Sequence, residues 1–209
     1  MRRVTTDLRA ALAHPGIYEL WSHAVGGVRC RDRLVNEHVR PVEATRVLDL
    51  GCGTGEILTF LPSGVRYVGV DMNPGYIASA HERFASRQAE FHVGDVTALG
   101  AGLSGFDCVL AFGVVHHLDD AGAESLFRSA ASALVPTGRL VTVDGVFTEP
   151  QGRVARTIIG YDRGQFVRNP DAYATLARTA FSTVEPTIRH DLLRIPYTHC
   201  VLECEAPLV

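Results

Sequence analysis

At 209 residues, with 46% hydrophobic and 21% charged side chains, the chain has the make-up of a globular protein of roughly one to one and a half ordinary domains. A formal charge of −3 offers no basic field to gather a phosphate backbone, and no run of about 20 apolar residues is present, so neither nucleic acid nor a membrane is expected as a partner. All twenty basic residues are arginine, which leaves no lysine for a pyridoxal phosphate Schiff base or a Walker-type phosphate loop.

Residues 1–44 read as a mostly helical flap, with turns at His14-Pro15-Gly16 and Gly26-Gly27. The basic start lacks the apolar core of a secretory signal. The five cysteines (Cys30, Cys52, Cys108, Cys200, Cys204) show no Cys-x-x-Cys spacing, so reduced thiols in a cytoplasmic protein and no metal centre are expected. From Thr45 short β-branched runs alternate with polar helical stretches, the pattern of βαβ units. Strands are expected at Arg46 to Leu50, Arg66 to Asp71, Glu90 to Val93, Phe106 to Gly113 and Gly138 to Asp144. Helices are expected at Asn73 to Arg87 and Ala121 to Leu134, the second ended by a turn at Pro136-Thr137-Gly138. Asn169 before Pro170 reads as an N-cap and first helical position, with a helix through Ala172 to Thr179. Two last strands, about Ser182 to Asp191 and Tyr197 to Glu203, suit an antiparallel hairpin. The divisions are 1–44 flap, 45–148 core, 149–180 insertion and 181–209 hairpin, within one α/β domain.

The chemistry concentrates in VLDLGCGTGEI. A buried strand carrying Asp49 runs into a loop around Cys52 with glycines at Gly51, Gly53 and Gly55. Glycine at those positions lets a ligand approach the main chain. The G-x-G-x-G spacing differs from the G-x-G-x-x-G of dinucleotide binders. An acid two residues before the first glycine repels a pyrophosphate and suits an ammonium or a sulfonium.

This string resembles the glycine-rich motif of class I, Rossmann-like S-adenosylmethionine-dependent methyltransferases of the small-molecule type. The resemblance extends in order through GVDMNPGYI, HVGDV, FDCVLAFGVVHHLDD and GRLVTVDGV. It implies a doubly wound seven-stranded sheet of order 3-2-1-4-5-7-6, strand seven antiparallel, with helices on both faces. It also implies that Asp71, beside Met72, binds the donor's ribose hydroxyls and that Asp95 and Val96 meet adenine. The Phe112 and Gly113 backbone would line the methionine end.

His116 and His117 follow the fourth strand, close to where the resemblance puts the methyl group. Either is a candidate general base, or one packs in the core while the other bonds nearby backbone or Asp119. Arg163 and Arg168, in the insertion, are candidate clamps for a substrate anion or braces of their own loop. Tyr18, Trp21 and Arg29 form an aromatic and basic cluster on the flap, either touching donor and substrate or covering the sheet. Tyr197 and His199 share a strand face and either approach the site or pack.

The expected activity is methyl transfer from S-adenosylmethionine to oxygen, carbon or nitrogen of a small metabolite by direct displacement. A binding protein that does not catalyse transfer, acting as partner or sensor, is the alternative from another class. An NAD-dependent oxidoreductase is the other, and a homodimer is open.

Overall fold

The computed structural model describes residues 26–100, 102–161 and 164–208. Seven strands form one sheet of order β3-β2-β1-β4-β5-β7-β6. The strands are β1 Arg46–Leu50, β2 Arg66–Asp71, β3 Ala89–Val93, β4 Phe106–Phe112, β5 Leu134–Gly145, β6 Phe181–Arg189 and β7 His199–Pro207. β1 to β5 pair in parallel, whereas β7 runs antiparallel to both β5 and β6. The expected order is therefore met, including the reversal of β7.

Period-two alternation explains why the sheet is covered twice. Leu48, Leu50, Val109, Ala111, Leu140, Cys200, Leu202 and Cys204 face one apolar cluster, shared with α3 (Asp120–Ala133) and α5 (Pro170–Ala177). Val47, Tyr67, Cys108, Leu110, Val141, Val143 and Val201 face the other. That second cluster is shared with α1 (Gly27–Leu34), its π-helical continuation Val35–Val39 and α2 (Pro74–Arg83). Strands buried on both faces read as near-continuous hydrophobic runs, which is why β1 and β4 stood out in the sequence.

The caps behave as their residue types dictate. Asn73 accepts from the Gly75 and Tyr76 N–H groups ahead of Pro74, and Asn169 accepts from Ala172 ahead of Pro170. α2 ends at Arg83, four residues short of the expected Arg87, because Phe84 leaves helical geometry to stack on Phe91. The turn expected at Pro136-Thr137-Gly138 is instead part of β5, which is already extended at Leu134. A bulge absorbs the three residues, since pairing shifts from Phe106↔Leu134 to Cys108↔Arg139. One helix was not foreseen, α4 (Arg153–Tyr161), which buries Ala155 and Ile159. The five cysteines are all free thiols. No helix among the described residues is long and apolar enough to cross a membrane.

The candidate donor and substrate site

At the carboxyl end of β1 the chain turns through three left-handed glycines, with φ +73° at Gly51, +55° at Gly53 and +73° at Gly55. Each has its own reason to lack a side chain. A Cβ on Gly51 would lie 2.5 Å from Val114 and one on Gly55 would lie 2.9 Å from Phe91, whereas Gly53 faces open space. The first two are closed by the protein's own packing. Gly53 is the open one, where a ligand can lie against the backbone.

The loop is tied to the end of β2. The Gly51 and Cys52 N–H groups donate to Val70 O at 2.7 and 3.1 Å. The Gly53 N–H donates to Asp71 Oδ2 at 2.9 Å, and the Asn73 N–H donates to Asp71 Oδ1 at 2.8 Å. One carboxylate thus fixes both the glycine loop and the start of α2. Each of its oxygens keeps an acceptor site for a further donor.

Beneath the loop, Asp49 is buried and its Oδ2 accepts from the Tyr67 hydroxyl at 2.5 Å. Burial pushes the Asp49 carboxyl up to about 7, opposed by the Tyr67 hydrogen bond and by the charge of Arg31. Burial likewise pushes the Cys52 thiol far up, which favours its neutral form. Arg31, from α1, pairs with Glu56 at 2.5 Å, directly after the third glycine.

At the carboxyl end of β4, Gly113 turns at φ +71° and its N–H donates to Val143 O at 2.7 Å. The short turn Val115–His117 follows. His116 is buried and His117 exposed, their ring centroids 4.2 Å apart. His116 Nδ1 lies 2.7 Å from Asp144 Oδ1 at the end of β5, and the His116 backbone N–H reaches the same oxygen at 3.1 Å. The segment after α4 returns here, with the Phe166 N–H donating to His116 O at 3.0 Å.

Residues 47–138 match the family model described as a methyltransferase domain. Over this stretch the chain is similar to a methyltransferase domain. The match runs from β1 through the glycine loop, Asp71, Asp95 and the His116-His117 turn to the start of the long β5. A ubiquinone biosynthesis O-methyltransferase of Azorhizobium caulinodans is 34% identical over 131 residues, covering 57% of this chain and 51% of the relative. Its counterpart in Brucella ovis is 35% identical over 107 residues, covering 50% and 42%. The chain thus spans about half the length of the curated relatives it matches. Among solved structures, the S-adenosylmethionine-dependent methyltransferase SibL superposes with TM-score 0.74 at 21% identity, over 94% of this chain and 61% of SibL. A TehB-like SAM-dependent methyltransferase of Corynebacterium glutamicum gives 0.67 at 19%, over 94% and 98%. At that identity the likeness is one of fold.

The foreseen residues gather at one end of the sheet, as the strand order requires. Asp49, the three glycines, Asp71 and Gly113 all stand where β1, β2 and β4 finish. Asp95 is exposed just past β3, and its Oδ1 accepts from both the Thr97 N–H (2.8 Å) and the Thr97 hydroxyl (2.7 Å), which lowers its pKa. Val96 is buried beside it, and Met72 is exposed. Tyr18, Trp21 and Arg163 lie outside the described residues. Arg29 is exposed in a cleft with Phe60 and Arg194, so the arginine at the glycine loop is Arg31, two residues on.

Arg168 is bonded into its own surroundings. Its five N–H groups meet Asp120 Oδ1 twice, at 3.0 and 2.7 Å, and the carbonyls of Val115, Phe166 and Leu118 at 3.2, 3.0 and 2.8 Å. A guanidinium has five donors, and all five have partners within the described residues. Tyr197 and His199 pack together, centroids 4.6 Å apart, and a Cβ on Gly145 would meet the Tyr197 hydroxyl at 2.4 Å. Sequence reasoning missed Arg31, Tyr67 and Asp144. Asp144 ends an expected strand next to a fourth-strand histidine, the signal that was available.

Proposed function

We propose that the chain transfers a methyl group from S-adenosylmethionine to an oxygen of a small molecule. The observation that carries this reading is the open, left-handed Gly53 held by the Asp71 carboxylate above buried Asp49. Bound there, the donor supplies an electrophilic methyl on a sulfonium.

The protein's part is to hold, orient and exclude water. The two remaining acceptor sites of Asp71 match a ribose diol, whose hydroxyls are the donors it lacks. Asp95, with Oδ1 already committed, offers Oδ2 to the adenine amino group, next to the Val96 N–H. Asp49 takes the donor's ammonium, and Arg31 stands near enough to Asp49 to meet the donor's carboxylate. The Phe112 and Gly113 backbone lines the sulfur end. Asp49 favours the whole NAD alternative least, because a pyrophosphate on this loop would face a carboxylate. Alignment of acceptor, methyl and sulfur removes much of the barrier to such a displacement. The His116-His117 turn borders that line and supplies the proton acceptor. Oxygen as acceptor atom follows the named activity of the curated relatives, and a cytoplasmic place follows from five unpaired thiols.

The test is turnover. Purified chain, S-adenosylmethionine and 3,4-dihydroxybenzoate should yield S-adenosylhomocysteine and a methyl ether in equal amounts. Tight donor binding with no methylated product from that diphenol or from a panel of phenols would leave a binding protein and remove the enzyme.

A further inference from the structure

Asp49 is 4% exposed, and its hydrogen-bond partner among the described residues is no cation but the hydroxyl of Tyr67, 2.5 Å from Oδ2. A buried carboxylate is costly unless it is paired and hydrogen-bonded. The sheet explains why a tyrosine supplies the bond. On the strands to either side Asp49 pairs with Gly69 and Leu110, and neither has a side chain that can donate. Tyr67 lies two residues before Gly69, on the same face of β2. The place of a Gly69 Cβ is taken by Cys52 Sγ and the Phe91 ring, at 2.7 and 2.9 Å, and the Tyr67 ring packs on Phe91 with centroids 5.6 Å apart. Packing thus fixes a fully buried ring with its hydroxyl at Asp49.

A hydroxyl steadies a carboxylate without neutralising it. The charged and titratable groups around Asp49 are Tyr67 and Asp71 from β2, Cys52 from the glycine loop, Cys108 from β4 and Arg31 from α1. Asp71 adds a second negative charge, Arg31 pairs with Glu56, and burial keeps Tyr67 and the two thiols neutral. An ionised Asp49 therefore carries a charge for which the described residues provide no hydrogen-bonded cation. With Oδ2 committed to Tyr67, Oδ1 is the oxygen left for a ligand.

We propose that Tyr67 is a positioning residue of the donor site, whose hydroxyl fixes the Asp49 carboxylate so that Oδ1 meets the ammonium of the donor's amino-acid end; the proposal rests on the methyl-transfer reading above. The same bond favours the ionised carboxylate against the cost of burial. The site then selects by charge within one nucleoside scaffold. S-adenosylhomocysteine carries the ammonium. 5′-Methylthioadenosine has the same adenine, ribose and thioether but no amino-acid end. The Tyr67 hydroxyl therefore acts on the first ligand and not on the second.

The experiment compares the full chain with Tyr67→Phe, which keeps a ring against Phe91. In calorimetry at pH 7, Tyr67→Phe should bind S-adenosylhomocysteine about five- to tenfold more weakly and 5′-methylthioadenosine as the parent does. The rise of S-adenosylhomocysteine affinity with pH should move to higher pH, because the lost bond favoured the carboxylate. On an Asp49→Asn background, Tyr67→Phe should leave the ratio of the two affinities unchanged, since no charge remains to favour. Equal weakening of both ligands, or of neither, would overturn the proposal, because a purely structural role moves both together. The ligand-free protein gives a reading independent of the donor. Carboxyl ¹³C titration should place the Asp49 midpoint higher in Tyr67→Phe than in the parent, and an unmoved midpoint would also overturn the proposal. A parent that binds neither nucleoside would strike the methyl-transfer reading, while the carboxyl titration still decides the Tyr67–Asp49 bond.

Discussion

The Asp71 carboxylate accepts the backbone N–H of Gly53, eighteen residues earlier in the chain, at 2.9 Å. That single bond sets the open glycine of the loop against the acid at the end of β2. Asp71→Ala should cost donor affinity through both the lost ribose bonds and the released loop. Charge-assisted bonds contribute about 1.5–3 kcal/mol each, so S-adenosylhomocysteine should bind at least tenfold more weakly in calorimetry. Unchanged affinity would detach Asp71 from the donor.

Gly51 and Gly53 share a backbone conformation and differ in surroundings, so alanine separates folding from binding. Both substitutions incur the left-handed cost of about 1–2 kcal/mol. Gly51→Ala also drives a Cβ to 2.5 Å from Val114, so its melting temperature should fall further than that of Gly53→Ala. Gly53→Ala should stay folded and lose donor affinity, because its Cβ enters open space that the proposed function gives to the donor.

Asp49 predicts a pH dependence. Its folded pKa is raised by burial to about 7, above its unfolded value near 4, so the native state holds the proton the unfolded state releases. The associated stability is present in full below about pH 4 and is lost as pH rises through about 7, a difference on the order of 4 kcal/mol. Asp49→Asn should flatten the fall in denaturation midpoint between pH 5 and 8. A donor ammonium next to Asp49 favours its ionised form, so donor binding should release a proton at pH 6 and tighten as pH rises. Calorimetry in buffers of different ionisation enthalpy reads that proton directly.

Arg168→Ala should unfold more easily, by about 3 kcal/mol, because it leaves the carbonyls of Val115, Phe166 and Leu118 without their donor. Arg168→Lys should recover little of this, since one ammonium cannot span three carbonyls and Asp120. Urea midpoints check it. If Arg168 were a substrate clamp, KM would rise with stability unchanged.

These sites differ in how far the sequence reveals them. β1 and β2 are legible to the residue because each is an apolar run closed by a polar or glycine-rich turn. Asp71 and the glycines are legible because a local string carries them. α4 is not, since RVARTIIGY is poor in strong helix formers and is held by the burial of Ala155 and Ile159. The start of β5 was misread because Pro136-Thr137-Gly138 has turn chemistry. Gly138 in fact lets two backbone carbonyls, of Phe106 and Val135, come within 3.0 Å of where its Cβ would be. The Asp144–His116 pair spans 28 residues, and the partners of Arg168 are mostly main-chain carbonyls. Such contacts leave no pattern in a linear string.

The most direct test of the central claim is a calorimetric titration of the chain with S-adenosylhomocysteine, run beside NAD. The account predicts one-to-one binding of S-adenosylhomocysteine, weakened in Asp71→Ala, and no heat from NAD. Binding of NAD alone would contradict it, because the loop would then hold a pyrophosphate above Asp49.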